Sequence, residues 1–184
     1  MPKRELKNQQ YTLGADGFVK AATQLASPNF DARPESTNID LIVIHSISLP
    51  PNKYGGDGVV QLFTNQLNPG EHAYYAEIYM QRVSSHFFVR RDGELMQFVS
   101  CLQRAWHAGI SSWQSRERCN DFSVGIELEG SDFEAFETAQ YKTLHALIAC
   151  LKKSYPIKNI VGHSDIAPGR KTDPGPYFNW QEII

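Results

Sequence analysis

The stretch DLIVIHS, residues 40–46, carries a continuous run of large apolar side chains, Leu41 to Ile44, that stops at a histidine. A short run without polar alternation, rich in β-branched residues, predicts a strand covered on both faces. His45 then stands where that strand should end. IKNIVGH, residues 157–163, repeats the arrangement: a short apolar run, then His163. In open α/β sheets, sites form beyond strand ends, where loops meet over a rigid scaffold. If the two strands are neighbours, the two imidazoles meet there.

The surrounding pattern supports a sheet. In FSVGIELEG, residues 122–130, Val124, Ile126 and Leu128 point one way and Gly125, Glu127 and Glu129 the other. HFFVRRDGELMQFV, residues 86–99, has two strand-like arms around Arg91-Asp92-Gly93, a strong hairpin signal. VVQLFTNQL predicts a short helix with Val59, Leu62, Phe63 and Leu67 inward. AQYKTLHALIACLKKS repeats Tyr141, Leu144, Ile148 and Leu151 at helical spacing. Thr138 is the expected cap of that helix; Lys152 and Lys153 suit the negative end of its dipole, and Pro156 follows its stop. Strands mixed with helices predict one α/β domain over residues 1–184, with a central mixed β-sheet flanked by helices. Residues 1–38 are polar and turn-rich, expected to wrap the surface, and 39–184 to form the core carrying the site.

Composition narrows the function. A chain of 184 residues with net charge −2 has no basic footprint for nucleic acid, and no polybasic segment for a membrane surface. No apolar stretch is long enough to span a bilayer, and the N-terminus has no apolar run after its basic residues, so a cytoplasmic protein is expected. Cys101, Cys119 and Cys150 are far apart and odd in number, which argues against a Cys-rich zinc site or a disulfide framework and for buried or free thiols. Oligomeric state leaves no trace in the sequence.

VGHSDIAPGRKTDPGP, residues 161–176, crowds His163, Asp165, Arg170, Lys171 and Asp173 among prolines and glycines. Such a loop can be plain solvated surface. It can also bring Asp173, ten residues past His163, to the two imidazoles. Two histidines and one carboxylate suit zinc with an open coordination position, where a water has its pKa lowered to about 7. His86, at the start of a strand, is the strongest competing ligand; His145 fits an ordinary helix surface, and His72 lies in a loop. Glu127 is a candidate general base, though alternation alone favours reading it as the wet side of a strand. Lys171 is a candidate oxyanion stabiliser or an ordinary lysine. Trp106 and His107 in RAWHAG suit a pocket wall or a core. Arg116 and Arg118 could hold a substrate carboxylate or form a solvated charge run.

Five stretches occur in order: VIHSISLPP, SSHFFVRRDGE, RAWHAG, RERCNDFSVGIELEG and GHSDIAPGRKTDPGP. Together they resemble the zinc-dependent N-acetylmuramoyl-L-alanine amidases, from about Ser27 onward. The resemblance implies a zinc-dependent hydrolase acting on a small muropeptide, with the fold of those amidases. It implies His45, His163 and Asp173 as zinc ligands, Glu127 as catalytic acid/base and Lys171 as transition-state stabiliser. It puts Arg118 near the peptide stem and His107 near the sugar or the scissile bond. Ser46 stands where that family commonly has an asparagine able to contact the peptide, so one substrate hydrogen bond is weakened or rerouted. A non-catalytic muropeptide-binding module and an exported or phage-type lytic amidase are the other readings; the intact ligand and catalytic set disfavours the first. Residues 46–85 are expected to be able to move.

Overall fold

A computed structural model describes residues 10–183; the first nine residues of the N-terminal segment, and residue 184, lie outside the described residues. The elements in chain order are β1 (Thr23–Gln24), β2 (Phe30–Ala32), β3 (Leu41–Ile47), α1 (Gly58–Phe63), α2 (Ala73–Ile78), β4 (Phe87–Val89), β5 (Leu95–Gln97), β6 (Gln103–Ala105), β7 (Ser112–Trp113), β8 (Arg116–Glu117), β9 (Ser123–Glu129), α3 (Thr138–Ser154), β10 (Asn159–Gly162) and α4 (His163–Ile166). Six strands form the main sheet in the order β1-β5-β4-β9-β3-β10. Only the β4–β5 hairpin is antiparallel, so the sheet is mixed, as expected.

The two strands whose adjacency would bring the imidazoles together are paired: β10 lies beside β3, with Gly162 opposite Ile44. On the other side of β3 runs β9, with His45 opposite Glu127. The strand does not end at His45 but continues to Ile47, because β9 goes on supplying ladder partners as far as Glu129.

Period-two alternation sorts the two central strands into faces. Ile42, Ile44, Val124, Ile126 and Leu128 join Leu144, Leu147, Ile148 and Leu151 of α3 in one core. The opposite face is built from several short pieces. Leu49, Val59, Leu62, Phe63, Tyr75 and Ile78 pack with Phe88 and Met96 in a second cluster, and Leu41, Val43, Val161 and Ile166 form a third with Phe122. The predicted inward positions Val59, Leu62, Phe63 and Leu67 are all buried, although the helix stops at Phe63. The α3 helix begins at Thr138 itself. Its N-terminus is closed by Glu137, whose backbone N–H donates to Gln140 Oε1 at 3.0 Å.

The N-terminal segment does more than cover the surface. It gives Tyr11 and Val19 to the core, adds β1 to the sheet edge, and carries the half-buried Arg33. The Arg33 guanidinium donates to the carbonyls of Asn120, Asp121 and Ser123 at 2.8–3.0 Å, bracing the chain as it enters β9.

Candidate metal centre and catalytic cavity

The alternation that feeds the α3 core sends His45, Gly125, Glu127 and Glu129 to the other face. There His45 meets His163, the first residue of α4, and Asp173 from the Pro- and Gly-rich loop. His45 Nδ1 lies 3.0 Å from His163 Nδ1 and 3.1 Å from Asp173 Oδ2, and His163 Nδ1 lies 3.1 Å from the same oxygen. These three residues form the metal-capable cluster found among the described residues. Donors about 2.0–2.1 Å from a tetrahedral centre stand roughly 3.3 Å apart, so the observed spacing needs little adjustment to take a zinc-sized ion.

The loop is held by its own backbone. Ser164 N–H donates to the Asp173 carbonyl at 2.9 Å, Lys171 N–H to the Ala167 carbonyl at 3.1 Å, and Gly162 N–H to Asp165 Oδ2 at 2.7 Å. Asp165 is therefore a loop brace and not a ligand. The electrostatics match a cation site. Burial pushes Asp173 upward, but hydrogen bonds with His163 and His45 outweigh it and hold the carboxyl far below its usual range. Burial keeps His45 neutral, its pKa lowered to about 4. A ligating imidazole must be neutral and a ligating carboxyl ionised.

Glu127 is 8% exposed, with Oε1 3.9 Å from His45 Nδ1. Its other oxygen, Oε2, is buried without a hydrogen-bond partner among the described residues. Burial, and then the Asp173 charge, push its pKa well above the usual carboxylate range, against the pull of Lys171. The wet side of a strand does not describe it: β9 is buried along its whole length, one face under α3 and the other under His107 and the loops that reach Glu129.

An open cavity of about 470 Å³ lies over this cluster, within the usual size for small-molecule sites. Ser46, Trp106, His107, Glu127, His163, Lys171 and Asp173 line it, with the exposed Lys171 beside the metal-capable loop. Arg170, to which the sequence assigned no role, also lines it and donates through Nη2 to the carbonyls of Ala108 and Ile110 at 2.7 and 2.6 Å.

Other candidates fall elsewhere. His86 is buried outside the cluster: its Nδ1 accepts the Gly125 N–H at 3.0 Å, and its Nε2 lies 3.1 Å from the Gln103 carbonyl. It is a core tether between strands and does not compete for the metal. His72 caps α2, accepting the Tyr74 N–H, and His145 is exposed on α3. Arg116 turns to Asp40, and its guanidinium lies over Phe122. Arg118 is not among the cavity-lining residues; its Nε lies 3.2 Å from Asp121 Oδ2. In RERCND the residue that shapes the cavity is instead Asn120, whose Oδ1 accepts the N–H groups of His107 and Ala108 at 3.2 and 2.8 Å. Nothing local in the sequence marks that long-range role.

The family model described as N-acetylmuramoyl-L-alanine amidase matches residues 35–176. The chain is 51% identical over 166 residues to 1,6-anhydro-N-acetylmuramyl-L-alanine amidase AmpD of Escherichia coli (strain K12), covering 89% of this chain and 91% of that protein. A crystal structure of a selenomethionine derivative of AmpD superposes with a TM-score of 0.91 at 50% identity, covering 94% of this chain and 97% of the other. The amidase AmiD of E. coli, solved with the substrate anhydro-N-acetylmuramic acid-L-Ala-D-gamma-Glu-L-Lys, gives a TM-score of 0.59 at 32% identity, over 82% of this chain and 59% of that one.

Proposed function

The chain belongs to the N-acetylmuramoyl-L-alanine amidase family, and from that premise we propose that it cuts soluble 1,6-anhydro-muropeptides at the amide joining the lactyl group to L-alanine, in cell-wall recycling. The observation that carries this is the meeting of His45, His163 and Asp173 beneath a cavity into which Glu127 also points. The proposed metal is zinc, because two imidazole nitrogens and one carboxylate oxygen are a three-ligand set that leaves a position open. When bound there, zinc would supply Lewis acidity to the scissile carbonyl and acidify the attacking water.

The chain's own residues do the rest. Glu127 takes the water's proton and returns it to the departing amine. No hydrogen-bond donor among the described residues competes for its Oε2, and burial raises its pKa above the usual carboxylate range, which strengthens it as a proton acceptor. Lys171, carried to the rim by the same loop as Asp173, places a cation beside the developing oxyanion. Trp106 offers an apolar wall to the sugar, and Ser46 a hydroxyl to the peptide. Arg118, exposed outside the cavity lining and paired with Asp121, is the proposed partner of a carboxylate of the peptide stem. The location proposed is the cytoplasm. Supporting it, Cys101, Cys119 and Cys150 are all buried free thiols, suited to a reducing compartment. No helix among the described residues is long and apolar enough to cross a membrane.

The test is cleavage of a purified anhydro-muropeptide followed by mass spectrometry, beside a parallel incubation with intact sacculi. Release of the free peptide from the soluble substrate, lost with a chelator and restored by zinc, is expected. Chelator-insensitive cleavage, no cleavage, or a preference for sacculi would contradict the proposal.

A further inference from the structure

His107 was expected to face the sugar or the scissile bond, but both of its ring nitrogens are engaged inside the protein. Nδ1 lies 2.8 Å from His45 Nε2, and Nε2 lies 3.1 Å from Ser123 Oγ. The rings of His45 and His107 stand edge to face, 5.0 Å between centroids. His107 and Ser123 are both buried.

The site is shaped for this ring. A Cβ at position 125 would fall 2.5 Å from His107 Cγ, so glycine in the middle of β9 is what lets the imidazole lie on the strand. The backbone on the other side is held by Asn120, which accepts the His107 N–H, and Asn120 lies in the segment braced by Arg33. The ring is thus fixed from below, from its backbone and at both nitrogens.

His45 turns Nδ1 toward the metal position, so as a neutral ligand it must carry its proton on Nε2. The atom facing that proton is His107 Nδ1, which must then be the unprotonated nitrogen, leaving Nε2–H to donate to Ser123. His163 solves the same problem differently, with Nε2 3.1 Å from the Ala108 carbonyl, an atom that can only accept. Metal-ligating histidines are generally oriented by an acceptor on the far nitrogen. We infer that His107 is a positioning residue that fixes the tautomer and ring orientation of His45, with Ser123 as the far end of a directed chain Ser123–His107–His45–metal. This rests on the proposed metal site, and it assigns His107 to building the site, not to holding the substrate.

Two variants and one spectrum test it. His107→Leu fills the space over Gly125 but cannot accept a hydrogen bond, whereas His107→Asn places an amide oxygen near the position of Nδ1. Competition with a chromophoric chelator should show zinc bound about 10–100-fold more weakly by His107→Leu, with His107→Asn recovering most of the loss. The nitrogen-15 spectrum of the zinc-loaded parent should show His45 protonated at Nε2 and His107 protonated at Nε2 and bare at Nδ1. Unchanged zinc affinity in a folded His107→Leu, equal weakening in both variants, or a proton on His107 Nδ1 in the loaded parent would overturn the inference. The spectrum needs no variant, so a failure of His107→Leu to fold does not remove the test. Asp173→Ala separates the two levels: if the parent binds zinc no better than Asp173→Ala, it is the metal site that fails, not the role of His107.

Discussion

The middle of β9 and its C-terminal end hold two buried glutamates on the same face, two residues apart, with opposite fates. At the end, Glu129 accepts the Gly55 N–H through Oε1 at 2.6 Å and the Arg91 N–H through Oε2 at 3.0 Å. It ties the loop before α1 and the hairpin turn to the sheet. In the middle, Glu127 receives no such donor at Oε2 and faces the His45–His163–Asp173 cluster. A satisfied carboxylate is a structural rivet. A buried carboxyl with an unpartnered oxygen costs the fold free energy, and that cost is retained at a place where proton transfer can use it. The difference between them lies in which loops return to each position, not in either residue or its strand.

The comparison is sharpened most by exchanging Glu127. Glu127→Gln should lower turnover by about 10²- to 10⁴-fold, while thermal melting stays equal to or above that of the parent. A loss of stability with near-parental turnover would make Glu127 a second Glu129. Lys171→Ala should lower kcat by about 100- to 1000-fold without moving the melting temperature; steady-state kinetics on the muropeptide checks it.

Glu129→Ala should invert the pattern. Two backbone N–H groups lose their acceptor, at a cost of about 1–3 kcal/mol for each that stays buried. Denaturant unfolding should report this while bound zinc stays at the parental level. The smallest effect is in pH dependence. Burial raises the Glu127 pKa in the folded state, so the native chain holds a proton that the unfolded chain releases above about pH 4.5. In metal-free protein, the stability of Glu127→Gln relative to the parent should therefore rise as pH increases from that value toward the folded pKa. A flat difference across that window would place Glu127 in a solvated setting.

The apolar runs ending at His45 and His163, the Asp-Gly hairpin and the α3 periodicity were legible because each is a local pattern. The sequence made the meeting of the two imidazoles conditional on the two runs being neighbouring strands, and the pairing of β10 with β3 meets that condition. The resemblance to the amidases supplied the roles that spacing alone left open, above all for Glu127 and Lys171. What stayed hidden depends on contacts between distant segments. The dryness of β9 comes from α3 on one face and from His107 and distant loops on the other, Glu137 and not Thr138 caps α3, and His86 is occupied by the backbone of Gly125. Arg33, Asn120 and Ser123 support the site through hydrogen bonds to distant segments, which no local spacing marks.

The most direct measurement is elemental analysis of the purified, dialysed chain beside its Asp173→Ala variant, with circular dichroism as a check on folding. About one equivalent of zinc per chain in the parent and essentially none in folded Asp173→Ala is the outcome expected of a His45–His163–Asp173 centre. A parent that stays metal-free after incubation with zinc, or a variant that keeps a full equivalent, would contradict it.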